Sequence, residues 1–191
     1  MDFSFIFVGG THGFVDDFKK QKEVILPTMP EFVLCEDLED NVLDSKEKLK
    51  EIINKKEISN MTSFEDAEKL IMLCLAKNIK LIGIDFHNFG FNENLQKKIK
   101  NQDELSEDED EQVKEILIER GNNQIKCIKE YHKKSTKPIV VIVGAWHLRE
   151  DSKLIKSFDR YKVIFPCDEK GNLVLEPINE KIVYCEKTKN G

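Results

Sequence analysis

Four short runs rich in β-branched and aromatic residues, 3–8, 32–35, 79–86 and 139–143, constrain this chain most. Each is nearly continuous in apolar residues rather than alternating, the pattern of a strand covered on both faces. Segments with helical spacing lie between them. Phe14, Val15 and Phe18 begin one behind the first run, and Pro27 is expected to end it. Thr62 and Glu65 form a capping box ahead of Phe64, Ala67, Leu70, Ile71 and Cys74 at helical spacing. A longer pattern runs from about residue 107 to 133, with Val113, Ile116, Leu117, Ile125 and Ile128 on one side and Gly121 as an expected kink. Strands alternating with helices imply an α/β fold: a mostly parallel open sheet flanked by helices. The tail, about residues 160–186, carries short β runs split by Lys170-Gly171-Asn172 and by residues 177–180, read as a C-terminal β hairpin or antiparallel edge.

A length of 191 residues suits a single domain spanning 1–191, and such a chain buries enough surface to fold without a disulfide or structural metal. The net charge of −6 argues against a nucleic-acid partner, which needs a basic face. The acidic run at 103–111 precedes a helix, where the macrodipole favours it, and reads as a solvated helix start. Cys35, Cys74, Cys127, Cys167 and Cys185 show no C-x-x-C pair, so they read as reduced, mostly buried thiols rather than catalysts. No apolar run approaches the roughly 18 residues of a membrane span, and the first residues lack a basic leader region, so the expectation is a cytoplasmic protein with no membrane partner.

Polar groups follow each apolar run. His12 follows the first, Glu36 and Asp37 the second, Asp85 and His87 the third, and His147 the fourth. Ligands of open parallel sheets bind beyond the carboxyl ends of the strands, so these groups are expected around one crevice. Two of them stand in the same setting, Gly-x-x-His: "GGTH" ending at His12 and "GAWH" ending at His147. Gly9, Gly10 and Gly144 let the chain leave its strand at unusual φ and bring N–H groups near a ligand. Neutral imidazoles from His12 and His147 with the carboxylate of Glu36 would hold a divalent ion and leave positions open for water. The same residues fit plainer roles as hydrogen-bonded strand-end groups, and "GGTHG" could instead cradle a phosphate at a helix N-terminus. A metallophosphoesterase reading is set aside, because Gly10 stands where an Asp is needed. His132 reads as a surface residue, His87 as structural ahead of functional, and Trp146 as a pocket wall or a core residue.

In order along the chain, "FVGGTHG" with His12, "PEFVLCEDL" with Glu36, "EILIERGNNQIKCI" with Arg120 and "PIVVIVGAWHL" with His147 resemble the TraB/TIKI superfamily, which includes erythromycin-esterase-like and ChaN-like proteins. The resemblance covers about residues 3–148, and Asp85 in "LIGIDF" lies where related proteins carry another strand-end acid. Gly121, Gln124 and Phe86 depart from the residues often found at those places. The resemblance implies a polar cleft lined by both histidines, Glu36 and Arg120, and a metal-dependent hydrolase cleaving a peptide, amide or ester bond of a peptide or small-molecule substrate. The ion would be Mn, Co or Zn, with His12, His147 and Glu36 as ligands, Glu36 serving alternatively as general base. Arg120 would hold a substrate carboxylate or a developing oxyanion, and Asp85 would complete the catalytic set. The alternatives are a protein that sequesters a peptide or metabolite in the same cleft without chemistry, and a phosphate-ligand binder.

Overall fold

The structure, a computed structural model, describes residues 3–11, 17–165 and 186–189. Its strands are β1 (Phe5–Gly10), β2 (Phe32–Cys35), β3 (Val42–Leu43), β4 (Lys80–Gly83), β5 (Ile139–Gly144), β6 (Tyr161–Ile164) and β7 (Glu186–Lys189), in one sheet ordered β3-β4-β2-β5-β1-β6-β7. The inner pairs, β2 with β4 and β5 and β1 with β5 and β6, are all parallel. Antiparallel pairs close both edges, β3 on β4 and β7 on β6. The four apolar runs and the antiparallel C-terminal edge expected from the sequence are thus present. The tail between residues 166 and 185 lies outside the described residues, as do Phe14 and Val15.

Alternation along each strand sorts the core into two layers. Ile6, Val8, Val33, Cys35, Val140 and Ile142 face one side, and Phe5, Phe7, Phe32, Leu34, Val141 and Val143 face the other. The first layer is covered by α1 (Asp17–Thr28), α2 (Lys46–Lys55) and α3 (Phe64–Lys77). The second is covered by α5 (Glu107–Lys134) and α6 (Lys153–Lys156), with Phe158 between them and the strands. Val8, Val33, Leu34, Val140 and Val141 are wholly buried, and each such side chain contributes roughly 1.5–3 kcal/mol. α4 (Glu93–Asn101) is set beside α5 by Lys98 and Asn94, which both reach Glu109.

Helix ends follow local chemistry with three departures from expectation. Ser63, rather than Thr62, caps α3, because its hydroxyl accepts from the Glu65 N–H while the Thr62 hydroxyl is drawn to Glu39. Pro27 sits inside the last turn of α1, where its missing N–H and the carbonyl four residues back no longer have a long helix to disrupt. Gly121 does not break α5, which runs unbroken over 28 residues from a capping box between Ser106 and Glu109. His132 is not a free surface residue: its ring lies 4.6 Å from that of Phe5.

The placement of β5 positions the site. It enters the sheet between β2 and β1, both of which precede it, so the chain changes direction across the sheet there. In open sheets such a reversal is where a ligand crevice forms, a position that here falls at the carboxyl ends of β2, β5 and β1.

Candidate active site at the carboxyl ends of the strands

The chain turns sharply after β2, through a 3-10 turn over Glu36–Leu38. Glu36 is the first residue of that turn, so its side chain is thrown across the end of β5, where Oε2 accepts the Gly144 N–H at 2.8 Å. Gly10 and Gly144, paired in register at the ends of β1 and β5, hold ordinary strand-end backbone; the expected unusual φ is absent, and Gly90 is the only glycine of positive φ among the described residues.

A second 3-10 turn, Ala145–Leu148, follows β5 and carries His147 back over the same carboxylate. Its Nε2 lies 3.2 Å from Glu36 Oε1. Arg120 reaches in from α5: Nη2 donates to Glu36 Oε1 at 3.0 Å and to Asp85 Oδ2 at 2.8 Å, while Nε straddles both Asp85 oxygens at 2.9 and 3.0 Å. Asp85, after β4, also accepts the Phe86 N–H and the Gln124 Nε2. The structure thereby brings Glu36, Asp85, Arg120 and His147 into one hydrogen-bonded cluster. His12 lies outside the described residues.

Burial and charge divide the labour within the cluster. Glu36 and Asp85 are buried, whereas the His147 side chain is 37% exposed. Burial alone would raise the Glu36 carboxyl, but the hydrogen bond and charge of His147, the Gly144 N–H and the Arg120 charge hold it at about 2. For His147, burial works to lower the imidazole, yet the bond to Glu36 and its charge leave it above its ordinary value. Arg120 also stacks on Phe89, 4.5 Å from the ring centroid. Phe89 holds left-handed backbone at φ 55°, next to Asn88 at φ 49°, a conformation costing roughly 1–2 kcal/mol for a residue with a side chain.

That strain is held by a second carboxylate, Glu39, which no sequence pattern singles out. It caps the Glu36 turn and is fully buried. Its Oε1 accepts from the Ser59 hydroxyl and, at 2.9 Å, from the Thr62 hydroxyl; its Oε2 accepts the Asn88 N–H at 2.5 Å. A side chain at Gly83 would come within 2.2 Å of the Glu39 carbonyl oxygen, so only glycine lets this turn cross β4. Beside Glu39 stands exposed His87, whose Nδ1 is 3.7 Å from Glu39 Oε2 and 3.6 Å from Asp40 Oδ1. Glu39, Asp40 and His87 bring ligand atoms within 4.8 Å of one another, close enough to hold a metal ion.

Trp146 is 44% exposed and stacks with Arg149, so it belongs to the surface beside His147 rather than to the core. Cys35 is buried and burial pushes its thiol well up; burial pushes the Cys74 thiol up to about 12. No described helix is long and apolar enough to cross a membrane. Compared with models of known protein families, with curated proteins and with solved structures, the chain matches none.

Proposed function

We propose that the chain is a metal-dependent hydrolase of the TraB/TIKI type, opening a peptide, amide or ester bond over the carboxyl ends of β2 and β5. The observation that carries the reading is the 3.2 Å between Glu36 Oε1 and His147 Nε2. Two ligands bonded to one ion at about 2.1 Å stand about 3.0 Å apart at a right angle and about 3.4 Å apart in a tetrahedron. The pair therefore suits a shared divalent ion without moving either side chain far. His12, two residues after Gly10 in the sequence, is the third ligand in this reading; Mn, Co and Zn all accept such a donor set.

A divalent ion bound there would polarise a carbonyl oxygen and lower the pKa of a bound water. The chain's own residues do the rest. His147 must give up its proton before it can serve as a ligand, so its raised pKa makes loading depend on pH. Glu36, ionised over the whole working range, needs no such step. Asp85 accepts donors on both oxygens and is wholly enclosed, so its part is to fix Arg120 rather than to move protons. Arg120 spends Nε and Nη2 on Asp85 and Glu36, so contact with a substrate carboxylate or oxyanion falls to Nη1.

The test is turnover of simple peptide, amide and ester substrates by the purified full chain, with its metal content measured alongside. A stoichiometric divalent ion, hydrolysis of at least one class, and loss of both on chelation are expected. Absence of both ion and hydrolysis after metal supplementation would remove this reading and favour a cleft that binds without chemistry.

A further inference from the structure

Asn88 and Phe89 stand side by side in left-handed backbone, at φ 49° and 55°. Asn visits that region readily, because its short amide bonds locally; a Phe gains nothing comparable there, so its place is imposed from outside. A conformation of this kind persists only where the surroundings over-determine it, and such places cluster at functional sites. Here the turn is held from several sides. Glu39 accepts the Asn88 N–H, and Asn88 Oδ1 accepts the Asn60 N–H at 3.0 Å. The Phe86 carbonyl accepts the Phe89 N–H at 2.9 Å. Gly90, at φ 78°, lets the turn press on α5, since a Cβ there would lie 3.3 Å from Ile116 Cγ2. Loss of one support leaves the others in place.

What the turn delivers is the Phe89 ring. Ile116 and Arg120 lie about one turn apart on the same face of α5. A turn resting on Ile116 therefore sets the ring against the guanidinium, with Arg120 Cζ 4.5 Å from the ring centroid. The hydrogen bonds to Asp85 and Glu36 all run through Nε and Nη2, along one edge of that planar group. Bonds along one edge leave a plane free to rock about that edge, and Nη1, the corner off it, then moves most. A ring against the face opposes the rocking. The Arg120 side chain is 11% exposed, Nη1 has no hydrogen-bond partner among the described residues, and unlike the Gln124 Oε1 it is open to solvent.

We propose that Phe89 is a positioning residue of the site: its ring fixes the tilt of Arg120, so that Nη1 meets the anionic group of the substrate in one orientation. The inference deepens the hydrolase reading and rests on it. If that group is a carboxylate already present in the substrate, losing the ring raises KM; if it is the oxyanion that forms on the attacked carbonyl, kcat falls. Glu36 and His147 reach their places from the ends of β2 and β5, so ion affinity does not depend on the ring.

Nitrogen-15 relaxation of the Arg120 Nε–H in the full chain tests this without relying on turnover. The chain has three arginines, so Arg149→Lys and Arg160→Lys identify the Arg120 signal by removing the other two. Phe89→Leu keeps an apolar side chain on the same backbone and removes the ring. Its Arg120 order parameter is expected to fall from about 0.85, the value of rigid backbone, to below about 0.6. Hydrolysis, read as kcat/KM, should fall by about tenfold to a hundredfold, with divalent-ion affinity unchanged. Phe89→Tyr or Phe89→Trp should restore both the order and the turnover. A lowered melting temperature in Phe89→Leu with Arg120 still ordered would make Phe89 a packing residue and overturn the proposal. Lost turnover that neither ring-bearing variant restores would overturn it too. Order lost with leucine and restored with tyrosine, with no turnover by any form, would keep the hold of Phe89 on Arg120 and remove the hydrolase reading alone.

Discussion

Two buried carboxylates three residues apart, Glu36 and Glu39, hang from the same 3-10 turn and do different work. Glu36 is met by a guanidinium, a half-open imidazole and one backbone N–H. Glu39 is met by two hydroxyls and a backbone N–H, with an imidazole only at 3.7 Å. The first set carries charge that can be redistributed and an imidazole that solvent reaches. The second is a saturated anchor that ties the turn after β2 to the loop ahead of α3 and to the strained turn at Asn88. Burial alone does not mark a reactive carboxylate; the charge and accessibility of its partners do.

Breaking the first cluster should have the largest effect. Asp85→Ala leaves the Arg120 guanidinium buried with one carboxylate in place of two, and removing one partner of a buried ion pair costs about 3–5 kcal/mol. Chemical denaturation would show this as a fall in midpoint at constant slope. The change should also weaken ion uptake, because Arg120 no longer fixes Glu36.

Breaking the second cluster should be nearly as costly to the fold and nearly silent in chemistry. Glu39→Ala strands the buried Asn88 N–H, worth about 1–3 kcal/mol when left unmade, and two half-buried hydroxyls that water can partly satisfy, so a loss of about 3 kcal/mol is expected. Under conditions where the variant is folded, ion affinity should stay close to that of the wild type.

Acidity sharpens the contrast. Glu36 titrates at about 2, below its ordinary value, so its contribution to stability is present above the ordinary carboxylate range and is lost as pH falls toward 2. His147 lies above its ordinary value, so its ion-pair contribution is full below about pH 6.5 and is lost as pH rises through the folded value. Ion binding at His147 has the opposite slope, because the proton must leave. Mn affinity measured by calorimetry should rise up to about tenfold per pH unit until His147 is neutral, then level off. A flat profile from about pH 6 to 9 would detach His147 from the ion.

The smallest effect is expected at Gly121. It lies mid-helix with open space where a Cβ would go, so Gly121→Ala should stabilise by about 0.5–1 kcal/mol. Thermal melting would record it as a small rise, and a fall would contradict the open space beside Gly121.

Much of this arrangement was legible in the residues, for physical reasons. Continuous apolar runs report strands covered on both faces, which is how β1, β2, β4 and β5 could be found, and strand-end polar groups report the crevice. Glu39 was hidden because in "EDLED" it reads as one more solvated acid; only the 3-10 turn, repeating every three residues, turns it inward behind Glu36. Gln124 stands out in the sequence only as a departure from the residue often found there, although it follows Arg120 by four residues and so shares its side of α5. β3, two residues long, carries no pattern at all, and its pairing is imposed by the turn that Gly83 admits. The capping hydroxyl was misplaced by one residue because Ser63 and Thr62 are chemically alike and only the tertiary pull of Glu39 separates them.

In the proposed hydrolase the ion would belong to Glu36 and His147 rather than to Glu39, Asp40 and His87. Divalent-metal titration of the full chain beside His147→Ala and His87→Ala tests it most directly, since both imidazoles are accessible and neither replacement should unfold the protein. His147→Ala is expected to weaken affinity by about a hundredfold or more, at least the upper end for losing a partner that merely supports a ligand, with His87→Ala close to wild type. Strong binding retained in His147→Ala and lost in His87→Ala would contradict the account and move the metal to the second carboxylate.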